Sequence, residues 1–261
     1  VNVLADILAA KRTDIAELRR GPRATSSRTP LDMVAALRRG PGAPLRLVAE
    51  VKLRSPSAGA LSRALTPGAR AVAYAEAGAA MVSVLCDEHF FDGSWSHLAA
   101  CRADLDRAGR SVPVLAKEFV LDERQIEEAR GRGADAVLLI ARIMPPARLA
   151  DLAHAARAAG IEPLIEVVDE AEVEAAIEAR ARVVGVNARD LDTLQMDAAR
   201  TARVLAAVPP GVVTVHLSGL RSGADVAIVA RGRVDAALIG EALMRQDDPR
   251  PLLKAMVRDA G

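Results

Sequence analysis

The chain has 261 residues, 51% of them hydrophobic and only 2% aromatic, with 35 basic against 34 acidic side chains and a net charge of +1. That much apolar material builds a sizeable core and excludes disorder. The even charge leaves no basic excess to hold a polyphosphate backbone, which argues against a nucleic-acid partner.

The first predicted elements are two helices, over 3–20 and 30–39, closed by the breaker Gly40-Pro41-Gly42-Ala43-Pro44. The first 20 residues alternate apolar and charged positions at helical spacing, without the apolar stretch of a signal peptide. Eight short, β-branched-rich apolar runs follow, at 45–52, 80–85, 112–117, 136–140, 161–167, 182–187, 212–218 and 236–240. Nearly continuous apolar runs of this length read as strands buried on both faces. Amphipathic stretches at 67–77, 94–108, 122–132, 145–159, 169–180, 197–207, 222–231 and 249–258 separate and close them. Three helix-to-strand junctions look alike: Gly78-Ala79-Ala80-Met81-Val82, Gly133-Ala134-Asp135-Ala136-Val137 and Gly232-Arg233-Val234-Asp235-Ala236-Ala237. In each, Gly suits a helix C-cap.

Eight strands, each followed by a helix, predict an α/β chain folded as a (β/α)8 TIM barrel. It forms one domain over 1–261, with an N-terminal helical extension at 1–44 and the barrel at 45–261. An open doubly wound sheet is disfavoured, because no Gly-x-Gly-x-x-Gly follows the first strand. Cys86 and Cys101 make no disulfide framework, and His89, His97, His154 and His216 show no metal-ligand spacing. No apolar run is long enough to span a bilayer. The expectation is a reduced, cytoplasmic protein, off the membrane, monomeric or weakly self-associating.

Of the 35 basic residues only Lys11, Lys52, Lys117 and Lys254 are lysine. A chain that writes Arg almost everywhere invites a chemical question at each Lys, because lysine can release its proton when buried and arginine cannot. Two of the four stand at strand ends, where barrels place their active sites.

Strand 1 ends Val48-Ala49-Glu50-Val51-Lys52, with an acid and an amine two apart on one face. A plain buried ion pair would account for them equally well. The next loop, Ser55-Pro56-Ser57-Ala58-Gly59, offers hydroxyls for an anion. Strand 3 ends Leu115-Ala116-Lys117-Glu118-Phe119, where Lys117 reads either as functional or as a snorkelling edge residue. Strand 5 places Glu166 in an apolar stretch, where desolvation raises a carboxyl pKa unless an Arg pairs with it. Strand 6 brings Asn187 and Arg189 to one face. Strands 7 and 8 end His216-Leu217-Ser218-Gly219 and Ile239-Gly240-Glu241-Ala242, the small residues of a phosphate cradle or of tight turns.

These ordered segments resemble the indole-3-glycerol phosphate synthase family of tryptophan biosynthesis over nearly the whole chain. The match also takes in Phe91-Asp92-Gly93-Ser94, Ala136-Val137-Leu138-Leu139-Ile140 and Gly240-Glu241-Ala242-Leu243-Met244. The resemblance implies ring closure, decarboxylation and dehydration of 1-(o-carboxyphenylamino)-1-deoxyribulose 5-phosphate, a small phosphorylated substrate, with no metal or cofactor. It implies Lys117 as general acid, Glu166 as general base, and Lys52 with Glu50 on the substrate carboxylate or leaving hydroxyl. The two proton transfers are shared between the lysines without division at this stage. Asn187 and Arg189 would position substrate. Ser218, Gly219, Gly240 and the Glu241 N–H would bind phosphate, with Ser55 or Ser57.

The chain departs from the family where Ser-Glu-Ser-Gly becomes His216-Leu217-Ser218-Gly219, which removes a carboxylate. It departs again at Val168, where His is frequent, at Glu118, where the family has Asp, and at Ala58, where it has Lys. Two other readings stay open here: a paralogue acting on a modified adduct, and a non-catalytic phosphate-ligand binder. The few aromatics cluster instructively. Phe90, Phe91, Trp95 and Phe119 fall near the predicted mouth and Tyr74 elsewhere, with Phe91 and Phe119 expected to wall an aromatic ring.

Overall fold

Eight parallel strands form where the apolar runs predict them: β1 (Arg46–Val51), β2 (Met81–Leu85), β3 (Val114–Lys117), β4 (Ala136–Ile140), β5 (Glu162–Val167), β6 (Val183–Asn187), β7 (Val213–Leu217) and β8 (Ala236–Ile239). In the computed structural model, which describes residues 3–55, 59–190 and 195–261, each strand pairs with the next and β8 pairs with β1. The sheet therefore closes into a barrel ringed by helices, as the sequence predicts.

The two-residue period of a strand decides what faces inward. Leu47, Ala49 and Val51 of β1 point outward, into the layer between sheet and helices. Val48 joins Leu115, Leu164, Val183, Val215 and Leu238 in a separate interior cluster. Stepping two residues toward the C-terminal end from Val48, Leu115 and Leu164 reaches Glu50, Lys117 and Glu166. The interior is thus filled by aliphatic side chains up to the last layer, and that layer is charged.

The other end is closed by the second part of the N-terminal extension. A helix at Met33–Leu37 buries Met33, Val34 and Leu37 against the interior cluster. Three aliphatic side chains buried this way contribute on the order of 5 kcal/mol, so the extension and barrel share a core. Asp135 and Asp235, from two of the similar junctions, clamp this segment. Asp135 accepts from Leu31 N–H at 2.7 Å and Val114 N–H at 2.8 Å, and Asp235 accepts from Arg39 N–H and Thr214 N–H, both at 2.9 Å. This clamping explains why the helix predicted at 30–39 is shorter. Asp32 caps its start through Ala35 N–H, and the chain turns away after Leu37 to reach Asp235. Gly78 and Gly133 adopt the left-handed conformation expected of a C-cap, whereas Gly232 is not among the positive-φ residues.

Several short elements escape the periodicity: a ribbon pairing Arg54–Ser55 with Gly59–Ala60, and helices at Glu88–Phe91 and Glu241–Met244. One or two turns are too brief to show a repeat. Among the described residues, no helix is long and apolar enough to cross a membrane.

Candidate active site

Glu50 stands at the centre of the charged layer, 1% exposed. Its Oε1 meets Lys52 Nζ at 2.7 Å and its Oε2 meets Lys117 Nζ at 2.9 Å. Burial by itself would push the Glu50 carboxyl up; Lys117 and Lys52 overcome that and hold it down at about 2. The ion pair expected of Glu50 and Lys52 is present, and it extends to a second lysine from a strand on the other side of β2. The backbone carbonyl of Glu50 also accepts from Tyr74 Oη at 3.1 Å. Tyr74, which the sequence sets apart from the mouth, supports the central acid from behind.

Lys117 runs against the simplest sequence expectation. Burial would lower its pKa, but Glu50 and then Glu166 outweigh that and raise it above the ordinary 10.5. In the free site this lysine is therefore a fully loaded proton donor. Glu166 behaves as expected: burial raises its pKa above 4.5, against the opposing pull of Lys117 and a hydrogen bond. That bond comes from Asn187 Nδ2 to Glu166 Oε1 at 2.9 Å, so the partner is an amide and not an arginine. Asn187 Oδ1 in turn accepts from Arg189 N–H at 3.0 Å, which fixes the amide's orientation and so the side on which Glu166 is held.

One cavity takes in Glu50, Lys52, Lys117, Glu166, Asn187, Arg189, Ser55 and Ser218. Its apolar side holds Phe91 and Phe119, ring centroids 6.1 Å apart, together with Leu138 and Ile140. Phe90 and Trp95 do not line it, and Trp95 packs partly buried against the outer core. An adjoining polar recess is formed by Ser218, Gly219, Arg221, Gly240 and Glu241. There the chain enters the left-handed region twice in succession, with φ of 71° at Ser218 and 89° at Gly219. Ser218 bears this strain without a glycine's freedom, a feature that concentrates at functional sites. Ser57 lies outside the described residues.

Gly240 is required by close approach. A methyl group there would stand 3.1 Å from Glu50 Cδ and 3.2 Å from Lys52 Nζ, and closer still to Glu50 Oε1. Gly240→Ala is expected to displace the Glu50 carboxylate and lower kcat/KM at least tenfold, with little change in melting temperature. Steady-state kinetics beside a thermal melt check this, and an unchanged kcat/KM would contradict the packing.

Leu217, where the resemblance leads one to look for a carboxylate, is buried in the interior cluster. It packs over Gly185, whose missing side chain makes the room: a Cβ there would lie 2.7 Å from Leu217 Cδ1 and 2.8 Å from Leu164 Cδ2. Glu50 is thus left as the carboxylate that both lysines share. Sequence reading did not single out Val3, Leu4 and Ile7 of the N-terminal helix, which line the cavity, or Arg221 in the polar recess. A lone arginine among so many carries no signal, and no local pattern says where a terminal helix docks.

A parallel barrel with acids, amines and an amide at its C-terminal mouth, an apolar wall on one side and a strained Ser-Gly recess on the other defines the class: a barrel enzyme equipped for proton transfer on a small anionic molecule. The profile described as indole-3-glycerol phosphate synthase matches residues 4–256. The chain belongs to that family. "Indole-3-glycerol phosphate synthase 2" of Streptomyces coelicolor is 48% identical over 226 residues, covering 87% of this chain and 84% of the relative. "Indole-3-glycerol phosphate synthase 1" of the same organism is 39% identical over 264 residues, covering 98% and 95%. A Parafrankia sp. relative of the same name is 40% identical over 265 residues, covering 98% and 96%. Among solved structures, a 3-hexulose-6-phosphate synthase superposes with a TM-score of 0.65 at 18% identity, over 83% of this chain and all of that one, a likeness of fold alone.

Proposed function

We propose that the chain catalyses the indole-3-glycerol phosphate synthase reaction on 1-(o-carboxyphenylamino)-1-deoxyribulose 5-phosphate. The observation that carries this reading is the Lys52–Glu50–Lys117 bridge facing Glu166 across one cavity, with an apolar wall at one end and the Ser218-Gly219 recess at the other. The substrate's aromatic ring rests against Phe91 and Phe119. Its phosphate sits at Ser218, Gly219, Gly240 and the Glu241 N–H, with Ser55 or Ser57 contributing and Arg221 adding charge.

The ring carbon bearing the carboxylate attacks the ketone, and Lys117 delivers its proton to the ketone oxygen as that oxygen becomes basic. Loss of carbon dioxide returns the carbon–carboxyl electron pair to the ring and restores aromaticity. Glu166 then takes a proton from the carbon next to the new hydroxyl. Lys52 protonates the departing hydroxyl as water, and the indole double bond forms. Asn187 holds Glu166 for this second step, and Arg189 fixes Asn187 while lining the substrate cavity. The chemistry is completed by side chains of the protein, so no metal or organic cofactor enters the reading. Its expected working form is a monomer or weak homo-oligomer in the cytoplasm.

Substrate carrying labelled carbon in its carboxyl group tests the reaction: the label should leave as carbon dioxide in a one-to-one ratio with indole product. Product that keeps the label would overturn the reading. The pH profile gives a second check. Glu166 must be ionised to act, so activity is lost as pH falls through its raised pKa. The acid limb of kcat/KM is therefore expected above the ordinary 4.5 of a glutamate, and the alkaline limb of Lys117 above 10.5. An acid limb at or below 4.5 would remove Glu166 from the base role.

A further inference from the structure

Lys11 is the third of the four lysines to be buried or nearly so, at 2% exposure, and no step of the reaction uses it. It lies on the inner face of the N-terminal helix (Val3–Arg20), one turn beyond Ile7, which lines the substrate cavity. Its ammonium meets three carboxylates: Asp14 at 2.8 Å, Asp87 at 2.9 Å and Glu118 at 3.3 Å. Asp14 belongs to the same helix. The other two come from the loop after β2 and the end of β3, and each is already engaged with the backbone of a mouth aromatic. Asp87 Oδ1 accepts from the N–H groups of Phe90 at 2.7 Å and Phe91 at 3.2 Å, and Glu118 Oε1 accepts from Phe119 N–H at 2.7 Å.

One ammonium thus gathers the two acids that hold Phe91 and Phe119, and it fastens to them the helix that brings Val3, Leu4 and Ile7 over the same cavity. Desolvating a lysine and two buried acids is unfavourable, so the cluster depends on the one ammonium that its carboxylates share. We propose that Lys11 is a positioning residue that locks the N-terminal helix and both aromatic loops into an apolar bowl, and so sets affinity for the aromatic half of the substrate and not for its phosphate half. This rests on the lyase reading above. The hub is linked to the cavity through the Phe91 and Phe119 N–H groups beyond the ends of β2 and β3, whereas the Ser218-Gly219 recess stands at the end of β7.

Lys11→Met removes the charge and keeps the stem. In a variant that melts cooperatively, KM for the ribulose phosphate adduct should rise at least tenfold and kcat change less than threefold. Inhibition by inorganic phosphate, which probes the far end, should stay within twofold of wild type. A general loosening would move both constants together, and a wild-type KM in the folded variant would overturn the proposal, as would that joint shift. If Lys11→Met does not fold, Lys11→Gln keeps a donor within reach of the acids and carries the same test. A wild-type chain that does not turn over the adduct would overturn the lyase reading and with it the affinity role, whereas the locking role is read separately by tryptophan quenching. Trp95, the chain's one tryptophan, lines a cavity with Lys11, Asp14 and Glu118. Acrylamide quenching of its fluorescence should at least double in the folded variant, and unchanged quenching would contradict the locking role.

Discussion

Lys117→Met should abolish indole formation, lowering kcat by roughly a thousandfold or more, while the chain retains its fold. A positioned general acid is worth roughly 10²–10⁴ in rate, and here the same ammonium also sits where negative charge develops on the ketone oxygen. Both contributions vanish together, because methionine offers neither proton nor charge. The fold should survive: methionine matches the stem that leaves β3, and Glu50 keeps Lys52 at 2.7 Å. Circular dichroism and a thermal melt beside the kinetics separate the two effects. Full activity in a folded Lys117→Met chain would end the assignment of Lys117 as the acid.

Glu50→Gln should be nearly as damaging, with kcat/KM down at least a hundredfold, and it should leave a diagnostic trace in pH. Glu50 is the strongest influence raising the pKa of Lys117 against burial. Without it the alkaline limb of the profile should move to lower pH, as the lysine loses its proton more readily. Stability should follow a matching rule. The folded Glu50 carboxyl titrates at about 2 against an ordinary 4.5, so its stabilisation is fully present above 4.5 and is lost as pH falls through 2. The wild-type advantage in chemical denaturation over Glu50→Gln should therefore be level above that window and shrink within it. An alkaline limb that does not move would show that Glu50 does not govern Lys117.

The barrel was readable because parallel strands covered on both faces must be written as apolar runs, and eight of them stand at regular intervals. The inward side of each strand follows from parity, which is why Glu50, Lys117, Glu166 and Asn187 could be placed together from position alone. The rarity of lysine proved a better guide than its use at strand ends suggested: Lys11, passed over in the first helix, is more deeply buried than either lysine of the site. Its partners Asp87 and Glu118 lie far along the chain, and such long-range pairing has no local signature. The aromatics show the same division. Phe91 and Phe119 meet at the mouth, Trp95 turns toward the outer core, and Tyr74 reaches the site through a backbone carbonyl that no sequence pattern marks.

The most direct measurement is continuous indole fluorescence from the purified chain given only 1-(o-carboxyphenylamino)-1-deoxyribulose 5-phosphate, with its Glu166→Gln variant run in parallel. The mouth geometry predicts steady, saturable growth of indole emission in the wild type and a rate at least a hundredfold lower in the folded variant. Saturable binding of the adduct with no indole emission from the wild type, or equal rates from both chains, would contradict it.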